Sequence, residues 1–288
     1  MRSIGLVAKD IKISHTVFAM PFAILGASIA GGDNLAPKLA IVVACMVFAR
    51  TWAMLVNRIA DRRIDARNTR TRGRAIASGA LPVRDAMWIS LWTALAFIGC
   101  TALFLFFGNP WPLALSVPVL AWLAFYSFTK RFTWCCHLFL GGALGISPLA
   151  AGLALDPTSL GEPTLWMLGG FVVAWVAGFD VIYALQDLEF DRSSSLSSVP
   201  AAFGWRGAIW ISRGLHVISL SCLVGVWRSE PRFAWIFGVG MVVVGSLQVL
   251  EHVVLARRGR AGIPMAFFTL NGVVSCTLGV AGVIDLIL

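Results

Sequence analysis

The chain alternates long apolar runs with short polar segments along almost its whole length. A helix needs about 20 apolar residues to cross the hydrocarbon core of a bilayer, and each run approaches that length. The pattern therefore predicts an all-α membrane protein with nine transmembrane helices. The predicted spans are 13–32, 37–57, 86–107, 111–128, 135–155, 164–187, 207–227, 233–255 and 265–287.

The composition supports this interpretation. Hydrophobic residues make up 58% of the 288 positions and charged residues only 13%, whereas about 25% of a soluble domain is charged. An ordinary soluble fold is excluded, since such a chain could not cover its own surface with polar groups. No linker or low-complexity tract interrupts the sequence, so residues 1–288 are predicted to form a single polytopic membrane domain.

The basic residues are distributed unevenly between the two sides of the predicted membrane. The N-terminus and the loops after even-numbered spans carry 18 of the 23 Lys and Arg residues, and the opposite side carries three, Lys38 at the edge of the second span with Arg228 and Arg232. Because basic loops stay in the cytoplasm, the N-terminus and the even-numbered loops are predicted to be cytoplasmic. The net charge of +9 thus follows from topology and does not indicate nucleic-acid binding.

The segment NRIADRRID, residues 57–65, follows the second apolar run directly. Asn57, Asp61 and Asp65 are spaced four apart, so they lie on one face of a helix along about 12 Å. Arg50 precedes them by two turns on the same face and is a charge within the apolar run. The spacing predicts a polar stripe that begins inside the membrane and ends at its cytoplasmic side.

A second stripe ends the sixth apolar run, where Asp180, Tyr183, Asp187 and Asp191 recur at helical spacing. The charge distribution places it on the same side of the membrane as the first stripe. Solvated acids that balance nearby arginines are the alternative explanation for any single residue. A carboxylate as deep as Asp180 is costly in a membrane and is usually functional. We therefore expect the two stripes to face each other across one cavity.

Clustered carboxylates and an amide indicate a cation site. Oxygen ligands suit Mg2+, which typically takes few protein ligands and completes its coordination with substrate phosphates. The sequence has no His or Cys residues paired at metal-ligand spacing for zinc or copper, and residues 135–137, Cys-Cys-His, are interpreted as packing residues. Basic residues near the stripes could offset the charge of a metal-bound diphosphate, although positive-inside bias also explains any one of them. They are Arg70, Arg74, Lys130 and Arg131.

NRIADRRID, the ARNTRTRGR run that follows it directly, and YALQDLEFDR resemble the two aspartate-rich motifs of the UbiA superfamily of intramembrane prenyltransferases. The resemblance covers essentially the whole chain. It is closest to the 4-hydroxybenzoate polyprenyltransferase group and to related enzymes of menaquinone synthesis. It implies nine transmembrane helices around a central cavity, Mg2+ as the cofactor, and polyprenyl diphosphate and an aromatic acceptor as substrates.

Matched residue by residue, the resemblance implies site roles for two sets of side chains. Three positions depart from the family pattern: Arg58 stands where Asp is frequent, and Ser195 and Ser197 stand where a Gly and a basic residue are common. The polar run around these serines is expected to be a mobile loop that could cover the site. The catalytic and metal-binding set is Asp61, Asp65, Asp187 and Asp191, with Asn57 as a further metal ligand, and the diphosphate-binding set is Arg70, Arg74, Lys130 and Arg131.

Four residues are predicted to serve the aromatic substrate. Arg50 is predicted to bind its carboxylate, with an ion pair between Arg50 and Asp180 as the alternative. Tyr126 and Tyr183 are the only tyrosines, and each lies near a proposed site segment. They are predicted to contact the substrate or its leaving oxygen, whereas placement at the membrane interface is the alternative.

The sequence thus predicts an enzyme of the inner membrane that transfers a polyprenyl group from its diphosphate to an aromatic acid of the 4-hydroxybenzoate type in quinone biosynthesis. The same chemistry on an aromatic precursor of the futalosine-type menaquinone pathway is the first alternative. An ion or solute transporter is the alternative of another class, because Arg50 and Asp180 could line a path through the membrane. No inverted repeat is visible to support a transporter.

Overall fold

The computed structural model describes residues 18–288. Within that range it contains nine principal helices and no strand, which confirms the predicted all-α class. We number the helices α1 to α9, so that each number corresponds to a predicted span. They are α1 Met20–Ala30, α2 Leu35–Arg67, α3 Val83–Ala102, α4 Trp111–Thr129, α5 Cys136–Leu155, α6 Pro163–Ala184, α7 Val199–Ser229, α8 Trp235–Arg258 and α9 Asn271–Ile287.

Shorter helical turns extend several of these helices. A 3₁₀ turn, Leu103–Phe107, continues α3, and a π-helical turn, Met265–Leu270, precedes α9. A 3₁₀ turn at Leu185–Asp187 and a short helix at Leu188–Ser193 continue α6. Eight of the resulting helices are long and apolar enough to cross a membrane, and α1 is shorter within the described range. Residues 13–17 of the first predicted span lie outside the described residues.

Two helices extend well beyond their predicted spans. The α2 helix continues ten residues past the predicted end at residue 57, because the first acidic motif is itself helical. The α7 helix begins at Val199, eight residues before its predicted start, and includes a break at Gly204. Gly204 has a φ of 70°, a conformation that glycine adopts without steric cost. Hydropathy marks the segment that crosses the membrane, whereas the length of a helix also depends on the residues that flank this segment on either side.

The described chain forms two compact units, and each is considered by itself. The first unit comprises residues 40–128 and contains most of α2 with α3 and α4. The loop after α2 packs its buried Ala75, Ile76 and Leu81 against Leu55 of α2 and Ala86 of α3. These contacts hold the segment that follows the first acidic motif against its own helix. The prediction of a single domain stays a prediction.

The second unit comprises residues 18–39 and 129–288, and α6 forms its centre. Trp175 of α6 is fully buried, stacks on Phe171 at 5.9 Å between ring centroids, and meets Phe22 of α1 at 5.4 Å. At Gly141 of α5, any added Cβ would collide with the carbonyl oxygen of Val173. The α5 and α6 backbones can therefore pack this closely only because residue 141 has no side chain.

Candidate functional site

The first acidic motif lies on the uninterrupted last turns of α2. The side chains of Asn57 and Asp61 meet at helical spacing, where Asn57 Nδ2 donates to Asp61 Oδ2 at 3.3 Å. The guanidinium of Arg58 donates to Asn57 Oδ1 at 2.9 Å. Arg58, one of the three residues that depart from the family pattern, thus contacts the amide oxygen of Asn57, which is a predicted metal ligand.

Asp65 ends the first motif in an ion pair with Arg74. The Arg74 Nη1 atom lies 2.8 Å from both carboxylate oxygens of Asp65, whose residue exposure is only 6%. A compact turn brings the two together, since the Thr71 hydroxyl and the Asn68 N–H both donate to the Asp65 backbone carbonyl. We call this arrangement the first carboxylate–cation pair, and its two members are only nine positions apart in the sequence.

The spacing of the second acidic motif predicted one regular helix face, but the motif does not lie on such a face in the structure. The α6 helix ends at Ala184, and the chain tightens into the 3₁₀ turn before the short helix Leu188–Ser193 begins. Asp187 lies at this junction with φ −100° and ψ 5°, outside helical geometry, and it is buried. A 3₁₀ turn advances about 120° per residue instead of about 100°. The direction of Asp187 and Asp191 relative to Asp180 is therefore rotated from that of a continuous helix.

Asp191 is fully buried and forms the second carboxylate–cation pair. Lys130 Nζ, from the loop after α4, lies 2.8 Å from Asp191 Oδ1. Ser198 donates its hydroxyl proton to Asp191 Oδ2 at 2.9 Å. Burial alone would lower the pKa of Lys130, but the Asp191 carboxylate outweighs that effect and raises the pKa above its ordinary value. The ammonium is therefore charged at neutral pH.

Two of the predicted acceptor residues have partners within the second unit. Asp180 Oδ2 lies 2.6 Å from His137 Nδ1 of α5. The Tyr183 ring stacks on Phe267 at 4.0 Å between centroids. The role of His137 was missed in the sequence, because the apolar run around it and the two preceding cysteines favoured a packing interpretation. A histidine within an apolar run was the available signal.

The remaining predicted residues lie at the surface or within the first unit. Arg50 of α2 and Tyr126 of α4 are both half-buried in that unit, and Arg70 and Arg131 are exposed. The first acidic motif belongs to the first unit and the second motif to the second unit. The structure thus brings together Asp65 with Arg74 and Asp191 with Lys130, which are the pairs that each unit builds on its own.

The donor chemistry of each motif fits Mg2+. In the part of the chain that the structure describes, no three His, Cys, Asp or Glu side chains converge as a metal-binding group. The first motif offers carboxylate and amide oxygens, and the second offers carboxylate oxygens. Mg2+ commonly takes one or two protein carboxylates, while water and substrate phosphates supply its other ligands. The residues present suit such a site, whereas they do not suit a zinc or copper centre.

Apolar spanning helices that end in buried carboxylates, each paired with a cation, define a polytopic membrane protein with polar sites whose donor chemistry suits a metal-chelated anion. The chain belongs to the UbiA prenyltransferase family, whose family model matches residues 19–273. Among curated relatives, the 4-hydroxybenzoate octaprenyltransferase of Nitrosomonas eutropha is 30% identical over 235 residues, covering 82% of this chain and 79% of the relative. The enzyme of the same name from Salmonella paratyphi B is 30% identical over 237 residues, covering 81% and 78% of the two chains.

Solved structures of related proteins share the fold. A UbiA homolog from Aeropyrum pernix K1 aligns with a TM-score of 0.85 at 29% identity, covering 95% of this chain and 98% of the homolog. A UbiA homolog from Archaeoglobus fulgidus, bound to GPP and Mg2+, aligns with a TM-score of 0.72 at 16% identity, covering 98% and 100% of the two chains. These comparisons confirm the membrane prenyltransferase fold that the motifs predicted.

Proposed function

We propose that this protein transfers a polyprenyl group from polyprenyl diphosphate to an aromatic acid of the 4-hydroxybenzoate type, in a reaction that depends on Mg2+. The observation that carries the proposal is Asp191, a fully buried carboxylate with Lys130 and Ser198 on its two oxygens. A carboxylate is costly to bury unless it is paired with a cation or binds a metal, and such carboxylates in membrane proteins are usually functional. The names of the curated relatives support the aromatic acid as acceptor.

The acidic side chains of the two motifs would hold the metal. Bound Mg2+ would neutralise the diphosphate and stabilise the negative charge that develops on it as the allylic C–O bond breaks. In the first motif, the hydrogen bond from Asn57 orients Asp61, and Arg74 orients Asp65. The set proposed to bind the metal comprises Asn57, Asp61, Asp65, Asp187 and Asp191.

The basic side chains would bind the diphosphate. Arg74 and Lys130 already contact carboxylates of the motifs, so each can fix an acidic side chain and add positive charge close to the phosphate oxygens. Arg70 and Arg131 are exposed near them in sequence and would add further donors. Together these cations favour departure of the diphosphate, because they counter the charge on the leaving group.

The acceptor would be bound by residues deeper along the helices. Arg50 is proposed to pair with the carboxylate of the aromatic acid, while Tyr126 and Tyr183 contribute to the acceptor region. The stacked rings of Tyr183 and Phe267 offer an aromatic surface of this kind. Apolar helices exclude water that would quench an allylic cation, and they allow the polyprenyl chain to lie in the bilayer. The active-site loops are proposed to face the cytoplasm on the evidence of the basic loops.

The test is incubation of the purified protein with labelled polyprenyl diphosphates and a panel of aromatic acids, with and without Mg2+. We expect a prenylated acid whose mass identifies both substrates, formed only when Mg2+ is present. If precursors of the menaquinone pathway are prenylated and 4-hydroxybenzoate is not, the acceptor is a menaquinone precursor and the proposed acceptor is wrong. Absence of diphosphate release with every acceptor would contradict the enzymatic assignment and would favour the transporter alternative.

The assignment of Arg50 is tested by comparing a benzoate with the corresponding neutral phenol. We expect Arg50→Ala to raise the KM for the benzoate and to leave that for the phenol unchanged. Arg213→Ala is the matched control, because Arg213 is also a spanning-helix arginine but lies over the ring of Trp210 at 4.7 Å. An equal loss for both acceptors would exclude a contact between Arg50 and the substrate carboxylate.

A further inference from the structure

The segment that follows the second acidic motif is fixed at three consecutive residues, although its polar sequence predicted a mobile loop. The Ser197 N–H donates to the Lys130 backbone carbonyl at 2.8 Å. Ser198 donates its hydroxyl to Asp191 at 2.9 Å, and the Val199 N–H donates to His137 Nε2 at 3.3 Å. We call residues 197–199 the anchor segment. It connects both members of the second carboxylate–cation pair to α5.

The hydrogen bonds of His137 define its tautomer. Because the Val199 N–H donates to Nε2, that nitrogen carries a lone pair. The proton of the neutral imidazole then lies on Nδ1, which donates to Asp180 Oδ2 at 2.6 Å. Both nitrogens are engaged in a ring that is only 3% exposed. Asp180 therefore fixes the orientation of His137, and His137 fixes the start of α7.

A chain of hydrogen bonds connects Asp180 to Asp191, the proposed metal ligand. Asp180 orients His137, His137 holds Val199, and the neighbouring Ser198 holds one oxygen of Asp191. On the other side of the anchor segment, Ser197 holds the backbone of Lys130, whose ammonium lies on the other Asp191 oxygen. A displacement of residues 197–199 would thus move a hydrogen-bond donor and a cation away from Asp191 together.

We infer that His137 and Asp180 are positioning residues for the second acidic motif, and that they act through the anchor segment without touching the aromatic acceptor. The inference rests on the proposed function, since it concerns how Asp191 is held for Mg2+. It gives Asp180 a role different from the acceptor contact that its place in the acidic stripe predicted. Partners that orient the ligands of a metal commonly affect its affinity by about 10- to 100-fold.

The test compares His137→Ala, Asp180→Ala and the double variant with wild-type protein. We expect each single variant to raise the Mg2+ concentration for half-maximal activity about tenfold, with the KM for the aromatic acceptor unchanged. The double variant should be no worse than His137→Ala, because both residues act through one path. A raised acceptor KM in Asp180→Ala with unchanged Mg2+ dependence would overturn the inference.

Ser212→Ala is the matched control for a general loss of stability. Ser212 is fully buried and its hydroxyl donates to the backbone carbonyl of Gly178 at 2.8 Å. Gly178 is close to Asp180 in the sequence, but this hydrogen bond does not involve the anchor segment. We expect Ser212→Ala to keep the wild-type Mg2+ dependence. A shift in Mg2+ dependence as large as that of His137→Ala would show a structural effect only and would overturn the inference.

Hydrogen exchange provides a readout that does not depend on activity. We expect the amides of Ser197 and Val199 to exchange faster in His137→Ala than in wild-type protein, while amides at the centre of α6 stay protected. Unchanged exchange at these two amides would overturn the inference even in an active enzyme. If wild-type protein transfers no prenyl group while exchange changes as expected, the proposed function fails and the positioning contacts stand.

Discussion

The first acidic motif holds Asp65 with a cation nine residues further along the chain, whereas the second holds Asp191 with a cation 61 residues before it. The first motif continues a regular helix into a compact turn. The second crosses a 3₁₀ junction and depends on the loop after α4 and the start of α7. The same pairing of carboxylate and cation is thus encoded locally in one motif and by tertiary structure in the other.

The first prediction, with the largest effect, concerns the buried carboxylate of the second motif. We expect Asp191→Asn to reduce prenyl transfer on the order of 100- to 1,000-fold, the range seen when one preorganised electrostatic group is removed. Glu189→Gln is the matched control, because Glu189 is an acid of the same motif that is 76% exposed and pairs with Arg260. Steady-state rates at saturating Mg2+ check the prediction. If Asp191→Asn and Glu189→Gln lose prenyl transfer to a similar extent, the negative charge of the motif matters and the burial of Asp191 does not.

The second prediction concerns the stability that each pair contributes. We expect Lys130→Met to lower the free energy of unfolding by about 2 kcal/mol and Arg74→Met by about 1 kcal/mol. The Asp191 side chain has no exposure, whereas that of Asp65 retains 8% and can regain water more easily. Thermal unfolding of the purified variants in detergent measures the difference. A larger effect for Arg74→Met would reverse the comparison between the motifs.

The pH dependence of the Lys130 effect follows from the raised pKa of Lys130. A group with a raised folded-state pKa contributes stability fully below its unfolded value, and that contribution is lost as pH rises through the folded-state value. The stability difference between wild-type protein and Lys130→Met should therefore be constant from pH 7 to about pH 10 and should shrink above it. A difference that disappears by pH 8 would contradict the ion pair.

Sequence patterns gave the architecture and the first motif more fully than the second. Apolar runs predicted the nine helices, since membrane spans have a fixed minimum length. The spacing of Asn57, Asp61 and Asp65 predicted one helix face, and the structure has a continuous helix there. A regular helix makes side-chain direction a function of sequence position alone. No distant contact is needed to infer it.

The second motif shows what spacing cannot supply. The 3₁₀ turn before Leu188 changes the direction of Asp187, and nothing in YALQDLEFDR marks that junction. The partners of Asp180 and Asp191 come from α5 and from the loops that flank α4 and α7. Their identity depends on how helices pack, so His137 and Ser198 became visible as partners only in the structure.

The third prediction tests the tertiary encoding of the second motif at a single hydrogen bond. Ser198→Ala removes the hydroxyl that donates to Asp191 Oδ2, and we expect a loss of about 1 kcal/mol in stability. Mg2+ affinity should fall about tenfold, because the carboxylate loses a group that orients it. Ser193→Ala is the matched control, since its hydroxyl donates to the backbone carbonyl of Phe190 near the surface. Mg2+ titrations of activity separate the two variants, and identical titration curves would remove Ser198 from the site.

The fourth prediction, with the smallest effect, concerns the local turn of the first motif. Thr71→Val removes a hydroxyl that donates to the Asp65 backbone carbonyl at 3.1 Å, while the shape of the side chain is kept. We expect a loss of about 1 kcal/mol in stability and an activity close to wild type. The Asn68 N–H still donates to the same carbonyl, and Arg74 still holds the carboxylate. A Mg2+ dependence shifted as far as that of Ser198→Ala would mean that the first motif also depends on a single hydrogen bond, although its turn is local. The expected difference in sensitivity between the two motifs would then be lost.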